Sequence, residues 1–271
     1  MDLSLEFVGT ATTLLRLGPF TLLTDPNFLH RGQRAYLGKG LFSKRLTEPS
    51  LQPQQLPALD AVLLSHLHGD HFDRVARREL DRSLPVLTTP QAAQRLARWG
   101  FASAEGMATW GSQVLEADGH RLAITAVPGQ HAPGIARPLL PPVMGSVLEL
   151  TRPAQPPFRL YVSGDTLYRP WLREVTDRLG PLDAAVVHLG GTRAFGVLVT
   201  MDGEQGADLV ELLRPRVTVP VHHDDYTVFR SPLADFVAAW QRRGLPGHPR
   251  TVARGQTVSL LPGVEPALPP G

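Results

Sequence analysis

The apolar positions at the start of the chain fall into three short runs, Asp2 to Val8, Thr12 to Leu17 and Phe20 to Thr24, parted by GTA and by Gly18-Pro19. Runs of this length between turn residues predict a β-meander. Ala61 to Ser65 (AVLLS) is a continuous apolar strand, and Asp73 to Leu80 follows it as a helix. Pro85 to Thr88 and Arg121 to Val127 read as strands, with the helix Pro90 to Trp99 after the first, and Val143 to Leu150 pairs with Phe158 to Ser163 across the turn RPAQPP. From there helices and strands alternate. Pro170 to Leu179 is a helix, Ala184 to His188 a strand, and Asp202 to Leu213 a helix whose Asp202 and Gln205 have capping-box spacing. The strand Val217 to Val221, the helix Leu233 to Arg242 with its apolar residues at helical spacing, and the strand Thr251 to Leu260 complete the pattern before a Pro-rich tail. Proline and glycine are spread along the chain instead of gathering in one linker. Residues 1 to 271 are therefore expected to form a single domain, two sheets flanked by helices.

A chain of 271 residues with 42% hydrophobic and 19% charged positions can bury a substantial core without staples. A formal net charge of +2 gives no extended basic surface, so nucleic acid is not an expected partner. The start, MDLSLEFVGT, lacks a basic region leading into an apolar segment, and no apolar run approaches the length of a bilayer span. A cytoplasmic protein with no membrane insertion is expected. Cysteine is absent, which excludes disulfides, a thiolate nucleophile and thiolate metal ligands. Any metal must be held by His, Asp and Glu.

Donors of that kind crowd into one stretch, LLSHLHGDHFD, from Leu63 to Asp73. In extended chain, residues two apart face the same way, so His66 and His68 can present both imidazoles to one point. Asp70 and His71 follow a glycine that lets the chain turn and can face a second point. One loop can thus serve two ions, but an ion takes four to six ligands, one of them open to water or substrate in a catalytic site. The remainder should come from other strand ends. Three places offer them: His131 after the strand ending at Val127, Asp165 after the strand Phe158 to Val162, and the pair His222-His223 after the strand Val217 to Val221.

Asp25 ends the third strand, where it can orient a ligand imidazole or serve as a turn residue before Pro26. Asp73 can do the same or cap the helix it begins. The segment Asn27 to Glu48 carries Arg31, Arg34, Lys39, Lys44 and Arg45. It is expected at the mouth of the site, with Lys44 and Arg45 favouring an anionic substrate, the alternative being a solvated charged loop.

The order His66-x-His68-x-Asp70-His71, His131, Asp165, His222 resembles the ligand series of the metallo-β-lactamase superfamily, over essentially the whole chain. The opening FVGTATTLL with GPFTLLTDPNF further resembles the branch that contains N-acyl phosphatidylethanolamine phospholipase D and L-ascorbate-6-phosphate lactonase. One departure is Thr200-Met201-Asp202, where relatives of the phospholipase often carry a histidine, and it argues against a phospholipase-like substrate. The resemblance implies a four-layer αββα sandwich with two mixed sheets. It implies His66, His68 and His131 on one ion, Asp70, His71 and His222 on the other, and Asp165 between them. It also selects His222 over His223, which then packs against the helix Leu233 to Arg242 or reaches substrate at the rim; packing is the expectation. Zinc is the first choice of metal from the His-rich ligation, with manganese next. Two such cations lower the pKa of a shared water towards neutrality, so no protein nucleophile is needed. Asp70 either orients that water and passes its proton to the leaving group or acts as a ligand only. The expected function is a metal-dependent hydrolase that cleaves an ester-like bond, phosphodiester or lactone, in a small or medium-sized anionic molecule. The alternatives are an iron redox protein on the same ligands and a non-catalytic module that keeps its metals for structure. The number of subunits is not legible.

Overall fold

The structure, a computed structural model, describes residues 3–134, 140–194 and 196–263. Seven strands form the first sheet in the order Thr257–Ser259, Leu3–Gly9, Thr12–Leu17, Phe20–Thr24, Ala61–Leu63, Val86–Thr88 and Ala104–Gly106. Six form the second, in the order Val217–Val221, Ala184–His188, Gln155–Val162, Met144–Arg152, His120–Pro128 and Ser112–Ala117. Their inner faces share one core, in which Leu5, Leu15 and Leu22 meet Ile124, Leu148 and Leu160. Truncating such a fully buried leucine to alanine costs about 2–5 kcal/mol.

Each sheet still has an apolar outer face to bury. On the first it is covered by the helices Arg74–Glu79 and Pro90–Arg98, whose Val75, Ala76 and Leu96 pack on Leu14, Leu23 and Val62. On the second, Glu174–Leu179, Gly203–Leu213 and Leu233–Arg242 bring Val175, Leu209, Leu213, Phe236 and Trp240 against Val147, Ala185 and Val187. The result is the four-layer αββα sandwich. No helix among the described residues is long and apolar enough to cross a membrane.

Strand direction decides where chemistry can collect. Phe20–Thr24, Ala61–Leu63, Val86–Thr88 and Ala104–Gly106 run parallel. In the second sheet Gln155–Val162, Ala184–His188 and Val217–Val221 are parallel, and His120–Pro128 points the same way because two antiparallel steps separate it from Gln155–Val162. The carboxyl ends of these strands lie on one edge, where ligands of open α/β sheets gather. The two sheets are tied there by a hydrogen bond from Met144 N to the Ser65 carbonyl, 3.1 Å.

Several local expectations are corrected. The expected turn RPAQPP is mostly strand: the hairpin turns at Pro153-Ala154, with Ala154 left-handed at φ 54°, and Gln155–Val162 includes both later prolines. The last strand spans Thr257–Ser259 only, and the tail beyond Gly263 lies outside the described residues, as does Asp2. The expected helix Pro170 to Leu179 opens as a 3₁₀ turn, Pro170–Arg173, before Glu174–Leu179. Only half of the capping box forms: Asp202 accepts from Gln205 N at 3.0 Å, while Gln205 Oε1 accepts from Tyr168 N, also at 3.0 Å. The helix end is thus tied to a neighbouring loop.

Candidate metal centre

The loop after Ala61–Leu63 is held by backbone contacts. Gly69 N donates to the Tyr36 carbonyl at 2.9 Å, and a Cβ on Gly69 would stand 2.7 Å from Tyr36 N and O. Its φ is not positive. The glycine is therefore required by close approach to the hairpin Arg34–Tyr36/Phe42–Lys44, not by a turn of its own. Gly164 is needed on both counts: its φ is 59°, and a Cβ would meet Met144 O at 2.7 Å and Ser65 Cβ at 2.9 Å. Asp165 follows directly. His222 is itself left-handed at φ 63°, fixed by donation of its N–H to Thr10 O at 2.8 Å. Backbone strain of this kind costs about 1–3 kcal/mol and gathers at functional sites.

His66, His68 and His131 form the first group of donors, their ligand atoms within 4.8 Å of one another. Ser65 Oγ gives its proton to Asp25 Oδ1 (2.9 Å) and so accepts from His66 Nδ1 (3.0 Å). His131 Nδ1 donates to the Val199 carbonyl at 2.8 Å. Both rings therefore turn a bare Nε2 lone pair inward, towards His68 Nδ1 at 3.0 and 3.3 Å. Burial, with neighbouring imidazoles, holds His66 well below its ordinary pKa and takes His68 down to about 3. Burial also lowers His131. All three are neutral donors at pH 7.

The second group is Asp70, His71 and His222. His222 Nδ1 donates to the Leu189 carbonyl at 3.1 Å, which points its Nε2 to Asp70 Oδ2, 3.6 Å away. His71 has Asp25 Oδ2 at 3.4 Å from Nδ1 and Asp165 Oδ2 at 3.3 Å from Nε2. Burial works to lower the pKa of both rings, but Asp165, Asp25 and Asp70 outweigh it and raise His71 well above the ordinary value. His222 is raised by Asp165 and Asp70 against the same burial. Asp165 stands between the groups, close enough to His66 and His71 to share an ion with either.

Buried polar atoms without a hydrogen-bond partner mark what the site is built to hold. Asp70 Oδ1, His71 Nε2 and His222 Nε2 are such atoms, each in the second group. His71 Nε2 stands 3.3 Å from Asp165 Oδ2, a close approach of imidazole and carboxylate inside the cluster. Three buried carboxylates, Asp25, Asp70 and Asp165, converge with imidazoles whose inward nitrogens have no protein partner to spare. Uncompensated, that charge is costly to bury, and divalent cations neutralise it. The residues fit divalent metal binding.

The remaining expected residues are distributed as follows. Asp25 lies beside His71 and ties Ser65 N (2.8 Å) and Oγ to the same carboxylate. Asp73 caps the helix Arg74–Glu79, accepting from Val75 N and Ala76 N, and also from Phe28 N and Leu29 N. Arg45 is completely buried: its guanidinium meets Asp225 Oδ1 at 3.6 Å and bonds Asn27 and Thr47. It stands inside the fold, not at a mouth, because a partner 180 residues on supplies the counter-charge. Lys44 is exposed on the hairpin, but it is Arg34 of the same hairpin that lines the cavity of about 570 Å³ beside His68. His223 stands outside the donor groups, its Nδ1 3.7 Å from Asp224.

Two residues were missed by sequence reasoning. His188, last in its strand, is fully buried and places Nδ1 3.3 Å from Asp165 Oδ1 and Nε2 4.0 Å from Asp25 Oδ2. Its signal was a histidine ending an apolar run, AAVVH, as His222 follows VTVPV. Thr200 donates Oγ1 to Asp165 Oδ2 at 3.2 Å, so the residue standing at the departure from the phospholipase pattern holds the central carboxylate.

Converging imidazoles and carboxylates on the carboxyl edge of an αββα sandwich define the metallo-β-lactamase-like class of protein. A family model for the β-lactamase superfamily domain matches residues 21–223, and the chain belongs to that family. It is similar to a metal-dependent hydrolase of Deinococcus radiodurans, 29% identical over 266 residues that cover 95% of this chain and 100% of the relative. Among solved structures, an isothiocyanate hydrolase from Delia radicum gut bacteria superposes with a TM-score of 0.77 at 19% identity, covering 95% of this chain and 99% of its own. A diiron β-hydroxylase from Streptomyces venezuelae shares the fold at a TM-score of 0.65 and 18% identity, over 95% of this chain and 54% of the hydroxylase.

Proposed function

We propose that this chain is a dinuclear metal-dependent hydrolase that cleaves an ester-like bond, phosphodiester or lactone, in a small or medium-sized anionic substrate. His66, His68 and His131 hold one divalent ion, and Asp70, His71 and His222 hold the other, with Asp165 shared. Zinc suits this donor set first and manganese second. The observation that carries the reading is the set of unpartnered inward atoms, Asp70 Oδ1, His71 Nε2 and His222 Nε2, facing a shared carboxylate. Bound there, two divalent ions supply Lewis acidity and a water made nucleophilic at neutral pH.

The chain's own groups do the rest. The carbonyls of Val199 and Leu189 fix the tautomers of His131 and His222, leaving each Nε2 to face the centre. Thr200 and His188 fix the plane of the Asp165 carboxylate. Asp70 is the candidate proton carrier. Burial pushes its carboxyl up, but His71 and His222 pull it down to about 2, so it is a carboxylate at pH 7. Its unpartnered Oδ1 can accept a proton from the attacking water and release it to the leaving oxygen.

Metal analysis of the purified protein, paired with turnover of bis(4-nitrophenyl) phosphate and a chromogenic lactone, tests this. About two zinc or manganese ions per chain and turnover of one substrate class are expected. Iron as the resident metal, with neither substrate cleaved, would overturn the reading in favour of redox chemistry.

A further inference from the structure

The cavity of about 570 Å³ beside His68 lies between the hairpin Arg34–Tyr36/Phe42–Lys44 and the helices Arg74–Glu79 and Pro90–Arg98. It is cationic without compensation. Arg34, Arg74, Arg77, Arg95 and Arg98 all line it, and none of them forms an ion pair among the described residues. Asp73 is the carboxylate in its wall, and the oxygens of that group are taken by backbone N–H donors. Arg77 and Arg95 both stack on Trp99, at 4.3 and 5.5 Å from its ring centroid, which holds two like charges within about 10 Å of each other. Both side chains are exposed, so salt screens much of their mutual repulsion, and what the pair offers is two guanidinium groups on one wall of the cavity.

The rest of the wall is apolar. Tyr36 and Phe42, half or more exposed at 50% and 60%, pair across the hairpin with ring centroids 5.1 Å apart, and Phe72, Leu67 and Trp99 complete the surface. Exposed aromatic pairs on a two-stranded ribbon gain little for the fold by themselves. A cavity of this size fits a small molecule and is too confined for a folded partner.

We infer that this cavity binds the substrate as an amphipathic anion: the arginines hold a phosphate or carboxylate remote from the bond to be cleaved, and the aromatic wall holds an aryl or acyl body that leads past His68. The assignment rests on the hydrolase reading for the direction of that body. It adds that the recognised charge is not the reacting group. Bidentate guanidinium contacts favour planar or tetrahedral oxyanions alike, so phosphate and carboxylate are both candidates.

Calorimetric titration of the metal-loaded protein with phenyl phosphate, phenylacetate and benzyl alcohol tests the inference. Arg95→Gln/Arg98→Gln, on an exposed helix face, should weaken both aryl anions at least about tenfold and leave benzyl alcohol unchanged. Arg77→Gln, on the other helix, should weaken them in the same sense. Metal content and thermal midpoint serve as controls for the fold. The tighter of the two anions in the wild-type protein identifies the headgroup. Equal affinity of wild type and both variants would place the anion on the metal ions and overturn the inference, as would absence of binding to wild type at millimolar ligand. Because the readout is binding, a failure of hydrolysis on every substrate would sink the reaction proposed above and leave this result standing.

Discussion

The two donor groups of the candidate metal centre use the same ring under the same burial and reach opposite electrostatic states. In the half built from His66, His68 and His131, burial lowers all three imidazoles, and the groups behind His66 and His131 are uncharged: a serine hydroxyl and a carbonyl. In the half built from Asp70, His71 and His222, burial acts in the same direction, yet the carboxylates of Asp165, Asp25 and Asp70 overcome it and raise both rings. The first half is a neutral nitrogen pocket. The second is an anionic one that needs positive charge to be stable. Placement of three aspartates, not the choice of histidine, makes the difference.

The largest effect should come from removing what joins the halves. Asp165→Asn should lower metal content and abolish phosphodiester or lactone turnover; wild-type activity in that variant would sink the dinuclear arrangement. Next, His222→Ala should lose about one ion per chain and His223→Ala none, as read by elemental analysis, since only His222 faces the donor group. Loss of both ions from His222→Ala would mean the halves are not separable.

A third prediction concerns the support of the anionic half. Asp225 Oδ2 accepts from Thr10 N at 2.7 Å, and Thr10 O accepts from His222 N. Asp225 also carries ion pairs with Arg45 and Arg254. Asp225→Asn should cost about 3 kcal/mol of folding stability at pH 7, because Arg45 is left buried with no counter-charge. Burial raises the Asp225 pKa, but the arginines outweigh it and bring it below the ordinary 3.8. A depressed carboxylate stabilises above its unfolded value and loses that contribution as pH falls through the folded one. The deficit of the variant should thus be full at neutral pH and narrow below 3.8, measured by urea titration of both proteins. A deficit independent of pH would assign the loss to packing.

The smallest expected effects are those of the groups that orient ligands. Asp25→Asn should weaken metal binding about 10–100-fold by chelator competition. His188→Gln should act in the same direction. Affinity unchanged in Asp25→Asn would show that the charge asymmetry between the halves does not depend on it.

What could be read from the chain was what is local. His66 to His71 are contiguous, and His131, Asp165 and His222 each follow an apolar run, so strand ends marked them. His188 was read as the end of a core strand because its role depends on parallel pairing with Gln155–Val162, which brings it beside Asp165. Arg45 was read as a surface cation because Asp225 is distant in sequence. Ala104–Gly106 carries no apolar run and is a strand only because Val86–Thr88 beside it offers an edge. Of the arginine-lined cavity only the hairpin's share, Arg34 within the basic segment Asn27 to Glu48, was legible; the arginines of the two helices join it through tertiary packing.

The contact between Gly69 and the Tyr36 backbone has a consequence for variation. The ligand loop and the hairpin that walls the cavity meet main chain to main chain, with no side chain between them to absorb a change. An insertion or deletion in the hairpin would therefore be transmitted to His68 and Asp70. Surface positions such as Tyr36 and Phe42 remain free to vary, while the hairpin's length does not. Diversification of what enters the cavity can proceed by substitution alone.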